Sequence, residues 1–268
     1  MTTTATPAAS AAPLSPWRAA WRCAWPAVGV AAGAGAAAYL LRGRLDALVR
    51  FDETVIAAAT ALTRADPTLR TALLVWEHVF LERYVYGAAT LLCLWVGRRH
   101  GMPRRAWWAF LTMMLAWNLH LDLKYVVRRL RPVVEPAVSH APGFSFPSGH
   151  VANVAAAGTA VVLLLWPLLR RRGPAAVAGA VGVVAVLTLV TALDRVLLGV
   201  HFPSDTVAGA VIGPAIVLVS YAGYRSWVAS SIPDAPSALR PQPRSPQPRS
   251  PQPHSPQPRF PHPPKDRT

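Results

Sequence analysis

The apolar residues of this chain lie in long, nearly charge-free blocks, and few folds can accept blocks of that length. Crossing about 30 Å of hydrocarbon takes a helix of about 20 predominantly apolar residues. Candidate spans run from Cys23 to Leu41, Glu77 to Val96, Ala106 to Lys124, His150 to Leu169, Ala175 to Leu193 and Asp205 to Tyr224. With 53% of its 268 residues hydrophobic, the chain is expected to be an all-α, polytopic membrane protein, a six-transmembrane-helix bundle.

Charge then orients the bundle. The formal net charge is +15, but the basic residues cluster in short interhelical segments and near the C-terminus, so nucleic acid is a poor partner and membrane lipids a better one. Arg98, Arg99, Arg104 and Arg105 follow the second block and Arg170, Arg171 and Arg172 the fourth, which places both loops in the cytoplasm. The loops after blocks one, three and five then face outward. Arg42, Arg44 and Arg50 stand against this scheme, because they follow the first block on its outer side.

Residues 1–16, rich in Thr, Ala, Pro and Ser, read as a disordered leader, residues 17–229 as the membrane domain, and residues 230–268 as a disordered Pro/Arg-rich tail. In that tail P-Q-P recurs at Pro241, Pro246, Pro251 and Pro256, an extended, polyproline-like composition. The first block follows Arg18 and Arg22 as the core of a signal peptide would, yet it is long enough to span and is expected to be retained. Cys23 and Cys93 both fall in apolar blocks, where a buried thiol is ordinary, and no disulfide framework is legible.

Three stretches carry chemistry: K-Y-V-V-R-R-L-R-P from Lys124 to Pro132, P-S-G-H from Pro147 to His150, and D-R-V-L-L-G-V-H-F-P-S-D from Asp194 to Asp205. Of the 27 basic residues only Lys124 and Lys265 are lysines, which makes Lys124 conspicuous. A cation near the centre of a span costs about 2.5–3.5 kcal/mol, so Lys124, Arg131 and Arg195 belong at helix ends, in pairs or in functional cavities. Lys124 and Arg131 are seven positions apart, which on a helix returns them to one side, and Pro132 ends the span.

Pro147 suits an early helical position, and Gly149 removes side-chain bulk, so the free N–H groups of the next helix can approach an anion with Ser148 as a further donor. His150, beside a bound phosphate, suits proton donation to a leaving oxygen. In the third stretch Gly199 and Pro203 break the chain around His201. Asp205, four residues on, is placed to hold Nδ1–H and leave Nε2 as the nucleophile, and it also suits a helix's first turn as a cap. Three cations around a group carrying up to about two negative charges stabilise its transition state without requiring a metal, and no zinc or magnesium pattern appears, so neither metal nor cofactor is expected.

Other charged residues read more plainly. Arg128 and Arg129 suit interfacial anchors whose stems lie along apolar surface. Glu77, His78, Glu82 and Arg83 read as locally paired, and His78, His120 and Asp122 as scattered polar contacts.

With these residues in view, the chain resembles the type-2 phosphatidic acid phosphatase superfamily over roughly residues 50 to 225. The pattern of that family is K-x6-R-P, P-S-G-H and S-R-x5-H-x3-D. The resemblance implies that Lys124, Arg131, Ser148, Gly149 and Arg195 bind phosphate, that His150 is the general acid, His201 the nucleophile and Asp205 its orienting partner. Asp194 departs from the pattern, standing where the family has Ser; its carboxylate could orient Arg195 or weaken its hold on an anion. The implied reaction is metal-independent hydrolysis of a lipid phosphate or pyrophosphate through a phosphohistidine, on the outer face of a bacterial cytoplasmic membrane. Undecaprenyl pyrophosphate is the first expectation, with phosphatidic acid or phosphatidylglycerol phosphate as alternatives. Phosphotransfer to another hydroxyl would use the same site, six spans argue against haloperoxidase chemistry, and a non-enzymatic transporter would leave the phosphate-site residues without shared purpose.

Overall fold

A computed structural model describes residues 46–230 and, ahead of them, Gly35. The expected leader, nearly all of the first apolar block and the tail beyond Ser230 lie outside the described residues. Among the described residues seven α-helices and no strand are present: α1 (Asp46–Ala65), α2 (Pro67–Val79), α3 (Glu82–Arg99), α4 (Pro103–Val127), α5 (Gly149–Arg171), α6 (Pro174–Leu197) and α7 (Pro203–Ser230).

Local chemistry sets most boundaries. Proline opens α2, α4, α6 and α7, where its missing N–H costs nothing, and the Asp66 side chain accepts from the N–H groups of Thr68 and Leu69 to cap α2. Helix α6 closes with Gly199 at φ 73°; Gly199 N–H donates to Val196 O and Val200 N–H to Arg195 O, the paired bonds of a Schellman turn. A side chain at Gly199 would also collide with Thr60 of α1 at 2.7 Å.

Helices α5, α6 and the Pro203–Val228 stretch of α7 are long and apolar enough to cross a membrane, and α2 with α3 qualifies as one span bent by 48°. This corrects the expectation of a continuous helix from Glu77 to Val96. Phe80 N–H closes back on Trp76 O, Leu81 is extended, and Glu77 falls in the preceding helix. Helix α4 has 25 residues, with Arg104 and Arg105 at one end and Asp122 and Lys124 at the other. The sequence reading had no counterpart to α1, whose buried stripe of Asp52, Ile56, Thr60 and Thr63 is too polar to register as a span.

Helix α5 is central, packing against α3, α4, α6 and α7. Its alanines, with Val96, Met113, Leu164 and Val217, make up much of the core. Small residues bring the backbones close. A Cβ on Gly213 would lie 2.5 Å from Ala152 O, one on Gly209 2.7 Å from Ser148 O, and one on Gly158 2.6 Å from Val184. Only 6% of the apolar window of α6 is buried within the protein, and Val183, Val186 and Leu189 point outward, as suits a helix facing lipid.

Pro167 inside α5 cannot donate to Leu163 O, and the side chain of Arg105 takes over that carbonyl at 3.0 Å and 2.8 Å while also bonding Tyr221 Oη at 2.7 Å. This ties α4, α5 and α7 at the end of the bundle away from the three motif stretches.

The α5–α7 crossing yields a stability test. Gly213→Val should overpack it and cost about 1–3 kcal/mol, seen as a lowered Tm in detergent, whereas Gly179→Ala, with nothing within 4 Å of a new Cβ, should leave Tm unchanged or slightly raised.

Candidate active site

The motif stretches meet where α4 ends and α5 and α7 begin. Lys124, in the last turn of α4, donates through Nζ to Phe144 O at 2.9 Å and Pro147 O at 2.8 Å, pinning the segment that leads into P-S-G-H. Arg128 is exposed and adopts φ 53°, which ends α4 before Arg131 is reached. The two-turn helical relation of Lys124 and Arg131 is therefore not what joins them. Arg131 sits on the irregular segment beyond, donating to Pro142 O, Gly143 O and Val200 O. Burial, foremost, lowers its pKa from the ordinary value, and nearby Asp205 opposes that.

His201 follows the Schellman turn of α6, is 3% exposed, and is contacted on both ring nitrogens. Arg131 Nη1 lies 3.1 Å from Nε2. A guanidinium can only donate, so Nε2 presents a lone pair and the proton resides on Nδ1. That nitrogen faces Ser145 Oγ at 3.4 Å and Asp205 Oδ2 at 3.7 Å. The direct Asp205–Nδ1 hydrogen bond expected from the sequence is thus replaced by a longer approach, with Ser145 donating a short hydrogen bond to the same Oδ2. Phe202 N–H also donates to Oδ2 at 3.0 Å. Burial pushes the His201 pKa down to about 4, against the opposing pull of Asp205 and with Arg131 adding to the lowering.

Arg129 overturns its reading as an interfacial anchor. Its side chain is 11% exposed and bridges two fully buried carboxylates, reaching Asp205 Oδ1 at 2.6 Å and Asp52 Oδ2 at 2.7 Å. Asp52 in turn accepts from Ser204 N–H at the start of α7. Arg195 is equally enclosed. It bonds Asp194 Oδ2, its chain neighbour, and Glu77 Oε1 at 2.7 Å. Glu77 therefore pairs across the bundle rather than with its local neighbours, because the break after α2 turns it toward α6.

Ser148 N–H donates to Asp205 O at 3.0 Å, seating the start of α5 against that of α7. Ser148 Oγ and His150 Nε2 are buried without hydrogen-bond partners, and the first-turn N–H groups of α5 have no intrahelical acceptor. A Cβ on Gly149 would meet His120 Nε2 at 3.3 Å and Lys124 Cε at 3.7 Å, so the absence of a side chain there keeps the cradle open. His120 thereby lines this end of the bundle instead of being a scattered helix contact. The positive charges facing His150 are those of Arg195, Arg131 and Lys124. Among the described residues no group of three or more His, Cys, Asp or Glu could hold a metal ion.

Asp52, Glu77, Arg129 and Ser145 were missed as site neighbours. Asp52 left one usable signal, an acid in register with the buried stripe of α1.

Fold and site together define a helical membrane protein in which cations, two histidines and free helix N–H groups converge at one end of the bundle, an arrangement suited to phosphate. The PAP2 superfamily profile matches residues 105–228. Phosphatidylglycerophosphatase B of Bacillus subtilis (strain 168) is 30% identical over 176 residues, covering 59% of this chain and 84% of that protein. The crystal structure of the first transmembrane PAP2-type phosphatidylglycerolphosphate phosphatase from Bacillus subtilis superimposes with a TM-score of 0.63 at 21% identity, over 73% of this chain and 94% of that one. The chain belongs to the PAP2 superfamily. It is a membrane phosphatase.

With its pKa near 4, against an ordinary 6.5, His201 is neutral above about pH 4. Its contribution to stability is complete above pH 6.5 and declines as pH falls toward 4. Nitrogen-detected NMR of labelled histidine should show His201 as the neutral Nδ1–H tautomer at pH 6; titration near 6.5 would contradict this.

Proposed function

We propose that this protein hydrolyses the terminal phosphate of a membrane lipid through a phosphohistidine at His201 Nε2. The observation that carries the reading is the pair of contacts on His201. Arg131 marks Nε2 as the lone-pair nitrogen, while Ser145 and Asp205 face Nδ1.

The substrate phosphate takes the N–H groups of the α5 first turn, with Ser148 and Gly149, and draws on the charge of Lys124, Arg131 and Arg195. One of its oxygens takes over the Arg131 hydrogen bond, freeing Nε2 to attack phosphorus. His150 gives a proton to the departing oxygen. The phosphoimidazolium left on His201 is stabilised by the Asp205 carboxylate. Water then attacks the phosphohistidine, His150 recovers its proton, and phosphate leaves. No cofactor takes part in this scheme.

Phosphatidylglycerol phosphate is the substrate supported by the relative at 30% identity, a phosphatidylglycerophosphatase. Undecaprenyl pyrophosphate and phosphatidic acid present the same terminal group and follow as candidates. The block from Cys23 to Leu41 would be the first of six spans, the bent α2–α3 pair the second and α4 to α7 the rest. Residues 17–229 then form the membrane domain, with 1–16 and 230–268 outside it. Arg98, Arg99, Arg104 and Arg105 share one end of the bundle with Arg170–Arg172, which supports a cytoplasmic placement for that end and an outward-facing site in a bacterial membrane.

Purified protein in detergent with EDTA, offered each of the three lipids, tests the reading. His201→Ala should lower phosphate release at least about 1,000-fold and abolish acid-labile labelling of the protein by 32P, as expected for a lost nucleophile; release that survives the substitution refutes the assignment. Asp194→Ser removes one of the two carboxylates on Arg195 and should lower KM by up to about tenfold, equivalent to about 1.4 kcal/mol.

A further inference from the structure

We propose that Arg129 is a positioning residue for this reaction: held between the buried carboxylates of Asp52 and Asp205, it orients Asp205 and Ser145 toward Nδ1 of His201. The inference rests on the reading of His201 as nucleophile.

Two separate bonds from one residue support it. Through its side chain Arg129 takes Asp205 Oδ1 at 2.6 Å and Ser204 Oγ at 2.7 Å, which turns Oδ2 toward Ser145 and the imidazole. Through its backbone it accepts the Ser145 N–H at 2.8 Å, which fixes the hydroxyl lying between that carboxylate and Nδ1. Each group facing Nδ1 is therefore anchored to Arg129, although Arg129 itself does not touch His201.

The guanidinium is well fixed. Its other nitrogen is held by Asp52 Oδ2 at 2.7 Å, its face lies 4.2 Å from the centroid of Phe202, and Asp52 is itself tied to the α7 start by Ser204 N–H. A planar fork spanning two carboxylates has a geometry that lysine reproduces only in part. Asp52 acts one step further out: with Ser204 it fixes the Arg129 fork from the side opposite Asp205. The arrangement also balances charge, since two buried carboxylates around one guanidinium leave one negative charge beside the imidazole that becomes cationic when phosphorylated.

The test uses the full chain in detergent and whichever of phosphatidylglycerol phosphate, undecaprenyl pyrophosphate and phosphatidic acid the parent turns over fastest. Arg129→Ala should lower kcat about 100-fold with KM within about twofold, and Arg129→Lys should recover at least about tenfold of that loss. In an Asp205→Asn background the same Arg129→Ala change should cost less than about threefold, because the residue through which Arg129 acts is already disabled. An unchanged kcat, a rise in KM instead, or equal losses in both backgrounds would overturn the proposal. Should Arg129→Ala not be recovered folded, Asp52→Asn carries the test. It should lower kcat about tenfold in the parent and not in Asp205→Asn, and an undiminished kcat would count against the role. Loss of the nucleophile reading is separable, since it alone predicts activity surviving in His201→Ala.

Discussion

The close crossing of α5 and α7 governs where the rest of the site can lie. Lipid tails give helices no hydrophobic reason to associate, so contact depends on how near the backbones can come. Gly209 and Gly213 allow α7 to pass within van der Waals range of Ser148 and Ala152 of α5. That approach lets Ser148 N–H reach Asp205 O and sets two helix N-termini side by side. Both ends carry partial positive charge, which favours an anion between them and disfavours their approach without one. Buried carboxylates at Asp52 and Asp205 offset part of that repulsion.

Arginines and lysine at this end fall into two groups according to what holds them. Arg129 and Arg195 each face two carboxylates, which offset their charge within the protein. Lys124 and Arg131 are held by backbone carbonyls, which satisfy their N–H groups without neutralising them. Lys124 and Arg131 therefore keep charge that no carboxylate pairs with, whereas Arg195 would meet a phosphate in competition with Asp194 and Glu77. The presence of Asp194 where serine is usual in the family deepens this asymmetry, because it adds the second carboxylate to Arg195.

The parts of this arrangement that could be seen in the sequence are those whose chemistry is local. A proline or glycine beside a cation or histidine marks where a helix must begin or end, and Lys124, Pro147–His150 and Gly199–Asp205 all announce themselves in that way. Arg131 is marked by the proline after it and by its place in K-x6-R-P, but the helical spacing that relates it to Lys124 is one the chain does not use, since α4 ends at Val127. Long-range pairing left no comparable trace. Nothing near Glu77 indicates a partner 118 residues away, and Arg129, flanked by Arg128 and Leu130, has the local pattern of an interfacial charge. The bend at Phe80 was hidden because apolar composition continues through it while the hydrogen-bond ladder does not.

Two of the carboxylates that reach this end of the bundle, Asp52 on α1 and Glu77 on α2, precede the segment that the family profile matches, residues 105–228. The motif residues within that segment thus receive part of their electrostatic setting from helices outside it. Grafting the matched segment onto another N-terminal region would leave Arg129 and Arg195 each short of a counter-charge.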